Sequence, residues 1–334
     1  MDQVTPPDRP DYSRAMAEEF GYDREAVAFL GISRLKGVGF QTLFGIGGRS
    51  GIVDLLETRN VAEVAKRISV AANEAKSWDW DELSRKIFDL GRELAERLAE
   101  KQVRFLFSTD ARFPSALATL PDELRPRWLF VAGDLELLER RCIAVVGTRD
   151  PTPDGEFLAR YSVACAREVV APVVSGLAQG IDRLVHEWCL HLSVPTISVL
   201  GTGMLAPYPA KHVPLGNAIL EAGGTLLTEY LPMQGPSAQQ FVWRNRLQAA
   251  LSRATIPVEW KRKSGTAHTV RFSRKLSRPV IGLRLDGVAP DPEAGEPDYL
   301  YAVPREHGNL VEALTKALLA GAPVADGRQQ DLFS

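Results

Sequence analysis

From Arg141 onward the chain alternates short apolar runs with amphipathic segments, and this alternation constrains its fold more than any other feature. The runs CIAVVG, PVVSG and PTISVLG are separated by the segments EFLARYSVACAREVV and GIDRLVHEWCLHL. Further apolar runs follow in GGTLLTEY, ATIPVEW and RPVIGLRL. Apolar strands joined by crossover helices predict a parallel sheet that is covered on both faces. We therefore expect an α/β fold with a Rossmann-like, mostly parallel sheet and helices on both faces.

The residues that precede this alternation have a helical pattern. Residues 24–104 carry apolar residues at helix spacing around the turn LKGVG and predict four or five helices. An extended segment and the apolar run RWLFVAGDL lead into the sheet. We predict a loose leader (residues 1–22), a small all-helical domain (23–104), a Rossmann-like domain with its lead-in (105–320) and a flexible tail (321–334).

The composition of the 334 residues, with 45% hydrophobic and 25% charged, is ordinary for a globular protein. The amino-terminal segment has no apolar core, and no apolar run approaches the roughly 18 residues that span a bilayer. We expect a cytoplasmic protein without a membrane span. The three cysteines lie in apolar or amphipathic stretches, which favours reduced, buried thiols over a disulfide framework.

Positive charge is concentrated in one part of the chain. The segment Arg244–Arg284 holds 11 Lys and Arg residues and a single acid, Glu259, whereas the remainder holds 29 basic and 41 acidic residues, a balance of -12. A local basic segment in an acidic protein favours binding of a polyanion. A solvated basic helix would give the same charge pattern.

Three turns at predicted strand ends are rich in glycine or polar groups, and open parallel sheets bind ligands at such ends. In the first turn, Gly147 allows close approach of the backbone and Arg149 offers a fork for phosphate. In the second turn, Ser175, Gly176, Gly180 and Asp182 lie in a loop that begins a helix, where backbone N–H groups bind anions. A tight strand-to-helix turn with Asp182 as a helix-start acid remains the alternative.

The third turn, with Lys263, Ser264 and Gly265, precedes a predicted helix that carries a row of cations. The spacing of these cations places them along one face, which suits a chain of phosphates better than one small anion. An exposed, solubilising face is the alternative. The cations of the row are Arg271, Arg274, Lys275 and Arg278.

Two aromatic residues stand beside two arginines and an asparagine in the segment FVWRNR. Aromatic rings stack on bases and arginines hold phosphates, as binding of single-stranded nucleic acid requires. Core packing of either ring is the alternative. The residues of this segment that we expect at a nucleic acid are Phe241, Arg244, Asn245 and Arg246.

The sequence does not predict a catalytic centre. The loop at 175–182 is neither a Walker nor a G-x-G-x-x-G pattern, and His186 and His191 lie five residues apart, away from a common helix face. We expect no metal, no cofactor and no enzymatic activity. The open alternative is a sensor of nucleotide derivatives or a phosphoribohydrolase-like enzyme on a related fold, for which Asp182 and Glu229 could form a carboxylate pair.

In order along the chain, IAVVGTR, SGLAQGID, ISVLGTG with Tyr208-Pro209, LLTEY, FVWRNRLQAALS and VEWKRKSGTAHTVRFS resemble the DNA-processing protein family DprA/Smf. Upstream, LKGVGFQTL is similar to the turn of the family's amino-terminal domain of the SAM or helix-hairpin-helix type. The resemblance implies a homodimer that binds and protects single-stranded DNA and helps to load the RecA recombinase in natural transformation (competence) or repair. The family motifs place a subset of the residues named above at the DNA: Arg149, Ser175, Gly176, Gly180, Asp182, Phe241, Arg244, Asn245, Arg246, Lys263, Ser264 and Gly265.

The chain departs from the family pattern at two places within the predicted sheet domain. Val242 stands where the family usually has proline. After the strand at 279–283, the usual proline-glycine end is replaced by R-L-D-G and an acidic loop, DGVAPDPEAGEPD. The last part of the domain is therefore divergent.

The tail carries a further motif. The residues QQDLF at 329–333 are similar to the pentapeptide by which bacterial replication and repair proteins bind the DNA sliding clamp. A disordered end is the alternative. The predicted clamp-binding residues are Gln329, Asp331, Leu332 and Phe333.

Overall fold

The computed structural model describes residues 16–69, 78–289, 291 and 293–320. The predicted tail, and the predicted leader as far as residue 15, lie outside the described residues. The chain forms two compact units whose segments alternate along the sequence. The first holds the described residues up to Phe113 with Arg127–Ala132 and Glu229–Pro232, and the second holds Pro114–Pro126, Gly133–Thr228 and the described residues from Met233 onward.

The first unit contains the amino-terminal helical region. Asp23 caps the helix Arg24–Ile32 by accepting a hydrogen bond from the backbone N–H of Ala26 at 2.9 Å. Asp79 and Glu82 form a capping box at the start of the longest helix, Trp80–Ala99. The helices are α1 (Arg24–Ile32), α2 (Phe40–Ile46), α3 (Arg49–Thr58), α4 (Val61–Arg67) and α5 (Trp80–Ala99).

An antiparallel strand pair, β1 (Val103–Phe107) and β2 (Trp128–Gly133), accompanies these helices. Aromatic rings form the core between them: the Phe29 ring lies 5.2 Å from that of Phe105 and 4.7 Å from that of Trp128, measured between centroids. All three side chains are buried. The lead-in predicted from the sequence thus forms strands that pack on the helical region.

The second unit is built on a parallel sheet in the order β6-β5-β4-β3-β7. The chain adds strands from β3 to β6 in one direction and then returns to place β7 on the other side of β3. Ligand sites in open sheets lie at such a switch point. The strands are β3 (Cys142–Gly147), β4 (Val173–Ser175), β5 (Thr196–Val199), β6 (Thr225–Thr228) and β7 (Ser252–Val258).

Helices connect and surround this sheet, which confirms the predicted Rossmann-like α/β fold. A second parallel pair, β8 (Ile281–Leu285) and β9 (Tyr299–Val303), follows β7. Among the described residues, no helix combines the length and apolar character needed to cross a membrane. The helices are α6 (Ser115–Ala118), α7 (Pro153–Glu168), α8 (Ile181–His191), α9 (Val213–Glu221), α10 (Ala238–Leu251), α11 (Gly265–Lys275) and α12 (His307–Leu319), with short 3₁₀ turns at Glu136–Glu139 and Ala210–His212.

The core of this unit is apolar and includes thiols. Ile143 and Val145 of β3 and Ile256 of β7 are fully buried against residues of α7, α8 and α12. Cys142, Cys165 and Cys189 are free and buried, as the sequence predicted, and burial raises the pKa of each thiol to about 12.

Candidate nucleic-acid interface

A cavity of about 740 Å³ lies in the second unit, at the carboxyl ends of β3 and β7, where the strand order switches. Its walls come from the turn after β3, the glycine loop after β4, the start of α10 and the turn between β7 and α11. Eight of the residues that the sequence predicted for DNA line it. They are Gly147, Arg149, Asp182, Phe241, Arg244, Asn245, Ser264 and Gly265.

An aromatic and cationic edge forms one side of this cavity. The guanidinium carbon of Arg149 lies 5.6 Å from the centroid of the Phe241 ring, and that ring lies 5.7 Å from the ring of Tyr208. Arg149 is exposed, Tyr208 is 53% exposed and Phe241 is half-buried. Rings and a guanidinium in this arrangement provide flat faces and a charge for bases and phosphates.

A buried ion pair forms the floor. Asp182 Oδ2 lies 3.4 Å from Arg244 Nη2, and Arg244 Nη1 donates a hydrogen bond to the carbonyl of Val199. Burial raises the pKa of the Asp182 carboxyl, while Arg244, the Ser175 hydroxyl and the Ala178 backbone oppose that rise. Both side chains are more than nine-tenths buried, so Arg244 acts first as the partner of Asp182 and of the end of β5.

The glycine loop after β4 packs tightly against this floor. Ser175 is buried and its hydroxyl donates to the Val145 carbonyl at 2.7 Å. A Cβ atom on Gly176 would lie 1.8 Å from Arg244 Nη1, and Gly180 has a φ of +82°. The loop therefore needs glycine at both positions. At Gly176 a side chain would collide with Arg244, and at Gly180 the backbone has a positive φ that favours glycine.

The start of α8 differs from the open anion site that the sequence suggested. The backbone N–H of Ile181, at the first helical position, donates to the carbonyl of Thr148 at 3.0 Å. That N–H is thus used to join the glycine loop to the turn after β3. Ser175, Gly176 and Gly180 do not line the cavity; they shape its floor from below.

The start of α11 is arranged differently. The Ser264 hydroxyl donates to the carbonyl of Lys261 at 2.7 Å, so its side chain does not cap the helix. Gly265 and Thr266 follow it on the cavity wall, and Asn245 Nδ2 donates to the Gly265 carbonyl at 3.1 Å. This helix start offers backbone N–H groups and a positive dipole end to an anion in the cavity.

Thirteen of the 21 lining residues were not predicted from the sequence, and three of them bear directly on the chemistry of the cavity. Tyr208 follows a predicted strand end and lines the cavity. It belongs to the Tyr208-Pro209 pair of the family resemblance, and this pair was the sequence feature that could have identified it. Lys261 precedes the predicted Lys263 by two residues, and it lines the cavity while the exposed Lys263 does not. Glu259 has a φ of +44° and accepts hydrogen bonds from the backbone N–H (2.8 Å) and hydroxyl of Thr152, which ties the end of β7 to the start of α7.

Two of the four cations in the row predicted along α11 are paired with acidic side chains of the protein itself. Arg274 lies 2.8 Å from Asp298, and Lys275 lies 3.5 Å from Glu123, whereas Arg271 Nη2 lies 2.7 Å from the His268 ring. None of the three cations lines the cavity. The helix ends at Lys275, so the prediction that Arg278 continues the row on the helix was wrong. Arg278 is half-buried, and burial with the nearby Arg253 lowers its pKa to about 10.

Arg246, predicted at DNA, is fully buried. Its Nε donates to the Leu124 carbonyl at 2.9 Å, and its guanidinium carbon lies 4.2 Å from the centroid of the Trp243 ring. These contacts give Arg246 and Trp243 a packing role, because helical geometry turns them away from the face of α10 that carries Phe241 and Arg244.

The two histidines that the sequence analysis examined for a metal site, His186 and His191, have different surroundings in the structure. His186 is fully buried, its Nδ1 lies 2.9 Å from the Thr196 hydroxyl, and burial lowers its pKa to about 3. His191 is exposed at the carboxyl end of α8. Within the described part of the chain, no group of three or more His, Cys, Asp or Glu residues is arranged to hold a metal ion.

Comparison with known proteins gives consistent matches over this region. The family model for DNA recombination-mediator protein A matches residues 104–293. A putative DNA processing protein DprA of Mycobacterium tuberculosis is 40% identical over 156 residues, which is 47% of this chain and 40% of that relative. The chain therefore spans less than half the length of that curated relative.

Two solved structures are similar in fold. The structure of DNA processing protein A from Streptococcus pneumoniae superposes with a TM-score of 0.59 at 23% identity and covers 90% of this chain and 98% of that one. The structure of DNA processing protein A from Helicobacter pylori, described for its single-stranded DNA binding mode, gives a TM-score of 0.52 at 27% identity and covers 64% of this chain and 96% of that one.

Proposed function

Because the chain belongs to the DNA recombination-mediator protein A family, we propose that it binds single-stranded DNA across the cavity at the carboxyl ends of β3 and β7. The main support for this proposal is the edge formed by Arg149, Phe241 and Tyr208, which lines the same cavity as the start of α11. Stacking on aromatic rings needs unpaired bases, so this edge favours a single strand over a duplex.

Each part of the proposed site has a distinct task. Phe241 and Tyr208 stack on bases, and Arg149 meets a phosphate or the edge of a base. The start of α11, with Ser264 and Gly265, receives a phosphate through backbone N–H groups. Asp182 and Arg244 hold the floor in place.

The wider role follows from the family. We propose that the protein protects single strands and helps to load RecA on them for homologous recombination, in natural transformation or repair, as a homodimer in the cytoplasm. It does so as a DNA-handling protein with no bond-breaking step and no cofactor. The relative from Helicobacter pylori, which is described as binding single-stranded DNA, supports the choice of ligand. The tail motif with Gln329, Asp331, Leu332 and Phe333 is proposed to bind the sliding clamp, and deletion of the tail should then abolish clamp binding.

The test is binding of a fluorescent single-stranded oligonucleotide and of its duplex across a salt series. The variant is the double substitution Arg149→Ala and Lys261→Ala, which removes two cations that line the cavity. The matched control is the double substitution Arg140→Ala and Arg305→Ala, which removes two exposed charges that do not line the cavity. We expect the wild type and the control to prefer the single strand, and the variant to bind more weakly with a shallower salt dependence. Equal affinities of variant and control would contradict the proposal.

The volume of the cavity also suits a single nucleotide, which keeps a nucleotide-derivative sensor or phosphoribohydrolase-like enzyme as the second candidate. The two differ in salt dependence, because a polymer contact releases many counterions and a small ligand few. Tight, salt-independent binding of a nucleoside monophosphate without binding of oligonucleotides would favour this second candidate.

A further inference from the structure

The acidic segment Glu293–Asp298 lies against the basic turn at the rim of the cavity. Lys261 Nζ is 2.5 Å from Glu293 Oε2, and Arg262 Nη2 is 2.7 Å from Glu296 Oε1. Lys261 itself lines the cavity. Two cations of the turn between β7 and α11 are thus paired with carboxylates from a segment some 30 residues later in the chain.

The backbone holds this segment in place. Ala294 forms an antiparallel bridge with Lys261, and the Gly295 N–H donates to the Trp260 carbonyl at 3.1 Å. A Cβ atom on Gly295 would lie 2.2 Å from the Trp260 ring, so the ring packs directly on the glycine. The two ion pairs therefore follow from a fixed backbone register.

The far end of the segment is fixed by Asp298. One carboxylate oxygen accepts from the backbone N–H of Val280 at 2.8 Å, and the other accepts from Arg274 Nε at 2.9 Å. Asp298 thus anchors the segment to the core of the second unit, whereas Glu293 and Glu296 are 71% and 80% exposed. Exposed carboxylates on a fixed backbone can release their cations by side-chain rotation alone.

We propose that Glu293 and Glu296 are internal competitors of the DNA strand for Lys261 and Arg262, and so set the affinity of the site. This inference rests on the proposed function, since it assumes that a strand in the cavity extends over its rim. A phosphate chain that reaches the rim must displace the two carboxylates. Because phosphates must replace these carboxylates, the strand binds more weakly than it would to unpaired cations. A bound strand is therefore released more easily to another protein.

The physical reason is the density of charge on the ligand. Exposed ion pairs are individually weak and are screened by salt. A strand held elsewhere in the cavity presents several phosphates near the rim at once and can outcompete carboxylates there. Removing the carboxylates should strengthen strand binding by about threefold to tenfold at low ionic strength, an effect that fades as salt rises.

The experiment compares two double variants. The first carries Glu293→Gln and Glu296→Gln, and the charge-matched control carries Asp286→Asn and Glu312→Gln. The control also removes two carboxylates from exposed ion pairs, with Arg305 and Lys316, but none of these residues lines the cavity. Affinity for a fluorescent 20-nucleotide strand is measured by anisotropy from low to high salt. We expect tighter binding only in the first variant, with the largest gain at low salt.

A second measurement excludes a general charge effect. When Lys261→Ala and Arg262→Ala are added to the first variant and to the wild type, the gain from removing the carboxylates should vanish. A gain that persists without these cations, or one that the control reproduces, overturns the inference while strand binding itself stands. Absence of strand binding in every protein, the wild type included, overturns both this inference and the proposed function. Thermal unfolding of each variant confirms that it is folded.

Discussion

The guanidinium carbon of Arg149 lies 5.6 Å from the ring centroid of Phe241, although the two residues are 92 positions apart in the chain. One comes from the turn after β3 and the other from the first half of α10. They meet because the chain returns to β3 from the far side of the sheet. The pair places a cation beside a flat ring face, which the proposed site would use for a phosphate and a base.

Phe241→Ala should weaken binding of single-stranded DNA by about 1 to 3 kcal/mol, the usual contribution of one stacked base. Phe241→Trp should keep most of the affinity, because a larger ring offers the same flat face. Binding is measured by anisotropy with an ordinary strand and with one that carries abasic positions. If Phe241→Ala weakens binding of the fully abasic strand as much as that of the ordinary strand, the ring does not stack on bases.

Tyr208→Ala should also weaken binding, since its exposed ring extends the face of Phe241, while Tyr208→Phe should not. The two rings touch, so their effects should not add. A double-mutant cycle with Phe241→Ala measures the coupling between them. Strictly additive losses would mean that the rings contact the strand independently, and no loss for Tyr208→Ala would remove Tyr208 from the site.

Gly176→Ala should lower stability by about 1 to 3 kcal/mol, as overpacking of a filled interior does. The new methyl group would collide with the Arg244 guanidinium and push it away from Asp182. The measurement is chemical unfolding, followed by strand binding of the folded fraction. The control is Gly235→Ala, because no described atom lies within 4 Å of a Cβ there. Equal stabilities of the two variants would show that the loop yields without cost.

Stability should fall as the pH drops below about 6.5, in part because of His186. Burial lowers the pKa of His186 to about 3, so between these values the unfolded chain binds a proton that the folded protein does not. Its contribution to stability is therefore present above pH 6.5 and is lost on acidification, by up to about 1.4 kcal/mol per pH unit.

His186→Gln should make this loss shallower between pH 7 and pH 5, measured as the free energy of unfolding in urea. The control is His191→Gln on the same helix, where the side chain is exposed. A slope for His186→Gln that matches the wild type would mean that other groups cause the acid sensitivity.

Local patterns were sufficient to predict the sheet and the position of the cavity. Apolar runs define the strands, and the rule that ligands bind at strand ends brings Gly147, Asp182 and Gly265 to one cavity without knowledge of any contact. The crossover pattern carries this information because parallel strands all end at the same edge.

The roles of individual cations were not predictable in the same way. Arg246 is buried and donates a hydrogen bond to the carbonyl of Leu124. Arg274 is paired with Asp298, and Lys275 is paired with Glu123. These partners lie far away in sequence, so no local count of charge reveals them. A row of arginines at helix spacing indicates which face they share, and only the fold decides what covers that face.

The parallel sheet of the second unit also divides its turns into two groups. Every residue that lines the cavity belongs to the edge where the strands end, and the turns at the edge where they begin take no part. The turn between α9 and β6 is one of the latter, and Ala222 in this turn is exposed. Fluorescent labels, affinity tags or new chain termini introduced at this edge should leave the opposite edge, which we propose binds the strand, intact. The protein should then be convenient to immobilise or to follow in single-molecule work.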